Sequence, residues 1–344
     1  MTRALERTWV QICLFAAICV AISIAFADDY YYMNIAVLTL LVAGLCVSWN
    51  LAGGFAGLFS FAHTIFIALG AILPAFLAIQ HGVNPWLSML VAVLVSALAG
   101  AGFGWMRVHF DLKVLTFALV TLGFSELTLI LVTGTRSLGG GSGLSIPASL
   151  SIGGFSFDTP YRSYFLTTAW LLIALIVSAT VLSSKLGFFL IAIRDNSTAA
   201  RGVGIPVLKH SMYAMAISAG STALFGALYA QYFLYVDPYR VASPIFVIEI
   251  VLFTTLGGLG TLWGPVVGAV VFVPLAEILR AQTGASSPGL AELLTGVVVI
   301  LVVSFGRRGL VGFAASAVAW SSAAWTRRGR TPQTFSLDLN VDKE

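Results

Sequence analysis

Apolar residues in this chain are not arranged in stripes. They run on for about twenty positions at a time between short polar stretches, with neither a sustained helical nor a two-residue alternation. Ten such runs stand out, at residues 9–27, 34–52, 57–80, 86–106, 114–133, 164–183, 211–234, 245–261, 263–280 and 289–305. A helix rising about 1.5 Å per residue needs about 20 residues to cross a hydrocarbon core of about 30 Å. Lipid cannot satisfy open strand edges, and the alternating segments of a barrel are missing. The pattern therefore predicts an all-α, polytopic membrane bundle of about ten transmembrane helices within residues 1–305.

Composition agrees with the pattern: 9% of the 344 residues are charged and 59% hydrophobic, against about 25% and 45–50% in soluble domains. The placement of the charges adds an orientation. With the N-terminus in the cytoplasm, 14 of the 18 basic residues fall on cytoplasmic segments, and only Arg136, Arg162, Arg240 and Arg280 fall elsewhere. The positive-inside rule thus puts both termini and the loop 184–210 in the cytoplasm.

The two ends need separate reading. Arg3, Arg7, an apolar run and the small residues Ala25 to Ala27 resemble a secretory signal, but the run is longer than a signal core, so it is read as an uncleaved first helix. Residues 310–325 form a short apolar stretch with Arg pairs on both sides, expected to be an interfacial helix within a cytoplasmic tail, 306–344.

Candidate chemistry is sparse. There is no phosphate-binding loop, and the four histidines lack partners at ligand spacing, so neither nucleotide binding, a metal site nor catalysis is expected of this chain. Cys13, Cys19 and Cys46 sit singly in apolar runs and read as packing residues. Four carboxylates, Glu126, Glu249, Glu277 and Glu292, do lie in apolar runs, where an ionisable group is costly and so faces a cavity or a partner. Glu277 and Glu292 lie near segment ends. Glu126 and Glu249 have no basic residue within one turn and are candidates for a translocation path, together with the polar Ser125 and Ser142.

Gly260, Gly264 and Gly268 recur every four positions, which on a continuous helix would form one close-packing face. Pro265 inside that pattern predicts a kink or a fresh helix start, so the glycines read as plain close helix packing or, alternatively, as a broken helix beside a path.

One loop stands apart, "GFFLIAIRDNSTAARGVGIPVLKH", residues 187–210. Asp195, Asn196 and Ser197 are helix N-cap types, and Gly204 followed by Pro206 is a helix stop, so a short helix of about two turns is expected between them. Ala199 and Ala200 would make a shallow surface, with Arg194 and Arg201 offering charged contacts to a partner's rim. The residues alone leave open whether this is a docking surface or an ordinary basic loop.

The same stretch, followed by "GALYAQYFLYVDPYRVASPIFVIEIVLFTTLGGLGTLWGPVVGAVV", resembles the LivM type of permease of the branched-chain amino acid ABC importers. "GLFSFAHTIFIALGA" at 57–71 and "TFALVTLGFSELTLILV" with "GGGSGLSIP" within 116–147 are similar to the same family in the same order, over roughly residues 34–305. The resemblance implies an ATPase-coupling helix matching a pattern of Glu-Ala-Ala, three residues and Gly, carried here by Thr198, Ala199, Ala200 and Gly204, with Thr198 in place of the Glu. Arg194, Asp195 and Arg201 flank it.

It further implies a LivH-like sister permease, two ATP-binding cassette subunits holding ATP and Mg, and a periplasmic substrate-binding protein. The chain itself would bind no cofactor, would be surrounded by membrane lipid of the inner membrane and would meet no nucleic acid. The expected function is translocation of branched-chain or related amino acids. Alternatives are an importer of the same type for urea or short amides, or an ion-coupled secondary carrier using Glu126 and Glu249.

Overall fold

A computed structural model describes residues 2–26, 29–147 and 160–283, together with 289, 293–297 and 310. Most of the run 289–305, Glu292, nearly all of the tail 306–344 with its interfacial stretch 310–325, and the junction at Ala27 lie outside the described residues.

The described chain is helical apart from a two-residue ladder and the connecting turns. Its helices are α1 (Thr2–Ala25), α2 (Tyr30–Asn50), α3 (His63–His81), α4 (Pro85–His109), α5 (Val114–Gly134), α6 (Pro160–Ser183), α7 (Lys185–Asp195), α8 (Ser197–Gly202), α9 (Val207–Phe233), α10 (Pro238–Val241), α11 (Pro244–Gly258) and α12 (Gly264–Thr283). Among the described residues, eight helices are long and apolar enough to cross a membrane, and α11, of 15 residues, is a shorter apolar helix. The protein is a multi-pass helical membrane bundle. Nine of the ten apolar runs fall on a helix, but the run 57–80 becomes helical only from His63.

Local chemistry sets several starts. Asp29, Asn84, Asp237 and Ser243 each accept a backbone N–H from the first turn of the helix that follows, and Pro85, Pro238 and Pro244 occupy first helical positions, where a missing N–H costs nothing.

The core is built around α2, which is apolar on every face and is packed by α6, α9, α11 and α12. Val37, Leu41 and Trp49 on it are fully buried. The most extensive seam lies between α4 and α9. A Cβ added at Gly100 would stand 2.6 Å from the Met215 carbonyl, and one at Gly104 2.7 Å from the Ser211 carbonyl. These two glycines let the helix backbones touch, which is how helices associate where lipid offers no hydrophobic driving force. By contrast α4 and α5 leave Leu90, Leu94, Leu98, Leu115, Leu119 and Leu127 exposed, as lipid or a membrane partner requires.

At the end of the bundle opposite the basic loop, β1 (Leu144–Ser145) pairs antiparallel with β2 (Tyr235–Val236) and ties the segment after α5 to the end of α9.

Candidate functional site

The basic loop folds as two helices in sequence, α7 and then α8. Asn196 is the cap residue among the three predicted candidates: its Oδ1 accepts the N–H groups of Thr198 and Ala199, each at 3.0 Å. At the far end Gly204 takes a left-handed φ of 84°, and the Ile205 N–H returns to the Ala200 carbonyl at 3.0 Å. The expected helix is there, but the expected alanine surface is not. Successive helical residues point about 100° apart, so Ala200 turns inward against Ile193 and Val207, 4% exposed, while Ala199 and Thr198 stay out.

The arginines also part company. Arg201 meets Asp111, on the α4–α5 connection, at 3.6 Å. Arg194 remains partly exposed but also reaches the bundle: its Nη1 donates to the Gly54 carbonyl at 3.0 Å, and its Nε approaches Asp195 at 3.4 Å. Val203, 79% exposed at the tip of the loop, is an outward apolar residue that sequence reading passed over. A valine in a helical stretch carries no signal of which way it faces.

A second polar region surrounds the non-helical residues 56–62 that precede α3. The Trp49 indole N–H donates to the Ser60 carbonyl at 2.9 Å. Both backbone groups of Phe61 are met by α5: the N–H donates to Thr121 Oγ1 at 3.0 Å, and the carbonyl accepts from Ser125 Oγ at 2.7 Å. Unpaired backbone among membrane helices is costly, so these hydroxyls are what let α3 start late.

Ser125, expected to face a path, is therefore fully buried and engaged with Phe61. Glu126, the next residue, lies on the exposed side of α5 among Phe124, Leu127 and Ile130. Ser142 sits apart from both in a 3₁₀ turn after α5, where its carbonyl accepts from the Tyr235 hydroxyl at 2.7 Å.

Glu249 is not a lone carboxylate. Arg240, nine residues earlier on α10, donates to both of its oxygens, at 3.3 and 3.0 Å, and lies 4.3 Å from the Phe246 ring centroid. Burial works against the Arg240 charge, but Glu249 and Tyr229 more than offset it and raise its pKa above the ordinary value. The pair borders a cavity of about 680 Å³ between α2, α9, α11 and α12 that also includes Glu277 and Arg280, themselves paired at 2.7 Å.

The three spaced glycines do not share one helix face. Gly260 lies in the break between α11 and α12 at φ 72°, Gly264 opens α12, and of the three Gly268 alone is inside a helix, where a Cβ would overlap the Phe253 carbonyl. The chain takes the fresh-start alternative that Pro265 signalled, so the continuous-helix reading of this spacing is set aside.

A family profile described as branched-chain amino acid transport system / permease component matches residues 31–303. The chain belongs to that family. Its matched span begins within the central helix α2, so α1 stands outside it. The chain is 28% identical to the high-affinity branched-chain amino acid transport system permease protein LivM of Salmonella typhimurium, over 87% of this chain and 74% of that one. The same values hold for LivM of Escherichia coli. It is also 26% identical to the autoinducer 2 import system permease protein LsrC of Yersinia enterocolitica, over 73% of this chain and 70% of that one. No solved structure matches.

Proposed function

We propose that the chain is the transmembrane permease subunit of an ABC importer in the bacterial inner membrane, moving branched-chain or related amino acids inward while ATP is hydrolysed on partner subunits. The observation that carries the reading is α8, a capped two-turn helix presented at the end of a bundle that belongs to a permease family. In this reading the basic end of the bundle is cytoplasmic, and Thr198, Ala199, Arg201 and Val203 meet the ATPase. A sister permease covers the exposed apolar side of α5, where an otherwise lipid-facing Glu126 gains a polar path instead of hydrocarbon. Glu249 and Ser142 then lie at the opposite mouth, where a periplasmic binding protein delivers substrate.

Closure of two ATPases on ATP would pull on α8 and shift the permease pair between its two openings. The chain's own part is mechanical. Buried hydroxyls and glycines hold broken backbone in place, and no covalent step falls to it.

Glu249 already has a partner in Arg240, and Glu126 is not among the residues lining the cavity that this pair borders, so the ion-coupled carrier has the weaker support. Reconstitution decides between the two. Vesicles holding this chain, its sister, both ATPases and the binding protein take up leucine or valine with internal ATP, and uptake survives an uncoupler. Uptake by the chain alone, abolished by the uncoupler, would overturn the proposal.

A further inference from the structure

The helical backbone loses its regular form twice in one place. α2 ends in a π-helical turn over Leu51–Phe55, and α11 stops at Gly258 before α12 resumes at Gly264. Asn50 joins the two breaks. Its Oδ1 accepts the Gly260 N–H and its Nδ2 donates to the Thr261 carbonyl, both at 2.9 Å, and the residue is 2% exposed. A buried amide used at both ends fixes the geometry of both segments at once.

Arg194 enters this junction from outside it. It lies in the last turn of α7, and its Nη1 donates to the carbonyl of Gly54, in the last turn of the π-helix, where helix carbonyls lack partners of their own. Room for it comes from two glycines at positive φ. A Cβ at Gly57 (φ 66°) would stand 2.8 Å from Arg194 Cγ, and one at Gly260 (φ 72°) 2.7 Å from Arg194 Nη1. The arginine thus touches both broken segments. Two residues further on, Asn196 caps α8.

We infer that Arg194 is a positioning residue that carries displacement of the loop helix α8 into the membrane domain, by holding the π-turn after Asn50 and the break at 259–263 in register. The inference rests on the permease reading above and adds the route by which the loop reaches the bundle. Three facts carry it. The path from α8 to the guanidinium is short, from Asn196 through Asp195 to Arg194. The guanidinium bonds the Gly54 backbone as well as its exposed neighbour Asp195, so it joins the loop to the bundle. The segments it reaches are interrupted helices, where backbone moves without first breaking a regular ladder. On this account Arg194, itself partly exposed, ties the loop to the bundle, while Thr198, Ala199, Arg201 and Val203 are the residues that meet an ATPase.

The test uses the complete importer and compares Arg194→Met, Arg194→Lys and Gly260→Ala with wild type. Gly102→Ala, at a position with open space beside it, is the control. Co-purification of the ATPases, ATP hydrolysis, and substrate moved per ATP are measured together. Arg194→Met and Gly260→Ala are expected to keep their ATPases and their hydrolysis while substrate per ATP falls about five- to tenfold, the scale of an ordinary coupling free energy. Arg194→Lys restores part of the ratio, because the charge remains but the fork does not.

An unchanged ratio in Arg194→Met would overturn the inference, and so would loss of the ATPases from that variant, which would make Arg194 a docking residue. If Arg194→Met does not survive purification, the ratios of Arg194→Lys and Gly260→Ala decide in the same way. Failure of the wild-type chain to bind ATPases would instead sink the permease reading itself.

Discussion

Arg240 and Glu249 meet with two parallel hydrogen bonds, 3.3 and 3.0 Å, across the corner where α10 turns into α11. Each is about one-third exposed. The pairing makes Glu249 part of a local structural unit and explains how a carboxylate five residues into an apolar helix is tolerated.

Breaking that pair from one side should be worse than removing it. Arg240→Met leaves Glu249 without its partner and is expected to cost about 1–2 kcal/mol, a discounted figure because the pair is partly solvated. Arg240→Met combined with Glu249→Gln recovers much of this. Thermal unfolding of the purified chain in detergent, arranged as a double-mutant cycle, measures the coupling. A zero coupling energy would count against the pair as a structural unit.

Ser125 and Glu126 should separate cleanly. Ser125→Ala strands the Phe61 carbonyl and is expected to destabilise by about 1–3 kcal/mol, the cost of a buried unmet acceptor. Glu126→Gln, on the exposed side of α5, is expected to leave stability within about 0.5 kcal/mol. In the proposed path role, its effect falls on uptake alone, read as initial rate at matched expression.

At the α4–α9 seam the expectation is steric. Gly104→Val places a side chain against the Ser211 carbonyl and the Met212 backbone, neither of which can step aside. Folded protein in the membrane fraction should fall severely, since overpacking a close seam costs about 1–3 kcal/mol or more. Gly102→Ala, two residues away with nothing within 4 Å, should instead gain a little, about 0.5–1 kcal/mol from helix propensity. Fluorescence-detected size exclusion distinguishes the two.

Asn196→Ala removes the acceptor that holds two N–H groups at the start of α8, a loss of about 1 kcal/mol of helix stability. Faster amide exchange at Thr198 and Ala199, with the transmembrane amides unchanged, is the expected result. Asn196→Asp, which keeps the acceptor, restores protection.

The long apolar runs settled the architecture in advance because membrane crossing is a matter of length and hydrophobicity, both one-dimensional properties. α8 was legible for a similar reason: Asn196 and Gly204 act on their own neighbours. The path candidates were harder. Ser125 and Glu126 are adjacent in sequence, yet one is inside and the other outside, because a helix turns by about 100° per residue and only its neighbours say which face is which. Val203 was missed on the same ground, and Glu249 was taken as unpaired because its arginine lies more than two turns upstream.

Sequence by itself determined that this chain is a multi-helix membrane protein of the branched-chain amino acid permease type, with a short capped helix in its most basic loop. Those conclusions need only hydropathy, local caps and motif order. Tertiary structure decided the rest. It split Ala199 from Ala200, bonded Arg194 to the Gly54 carbonyl, gave Glu249 its partner, and placed Gly260 in a break shared with Asn50. Each of these depends on which residues distant in the chain come within a few ångströms, and a chain whose core is uniformly apolar carries little local record of that.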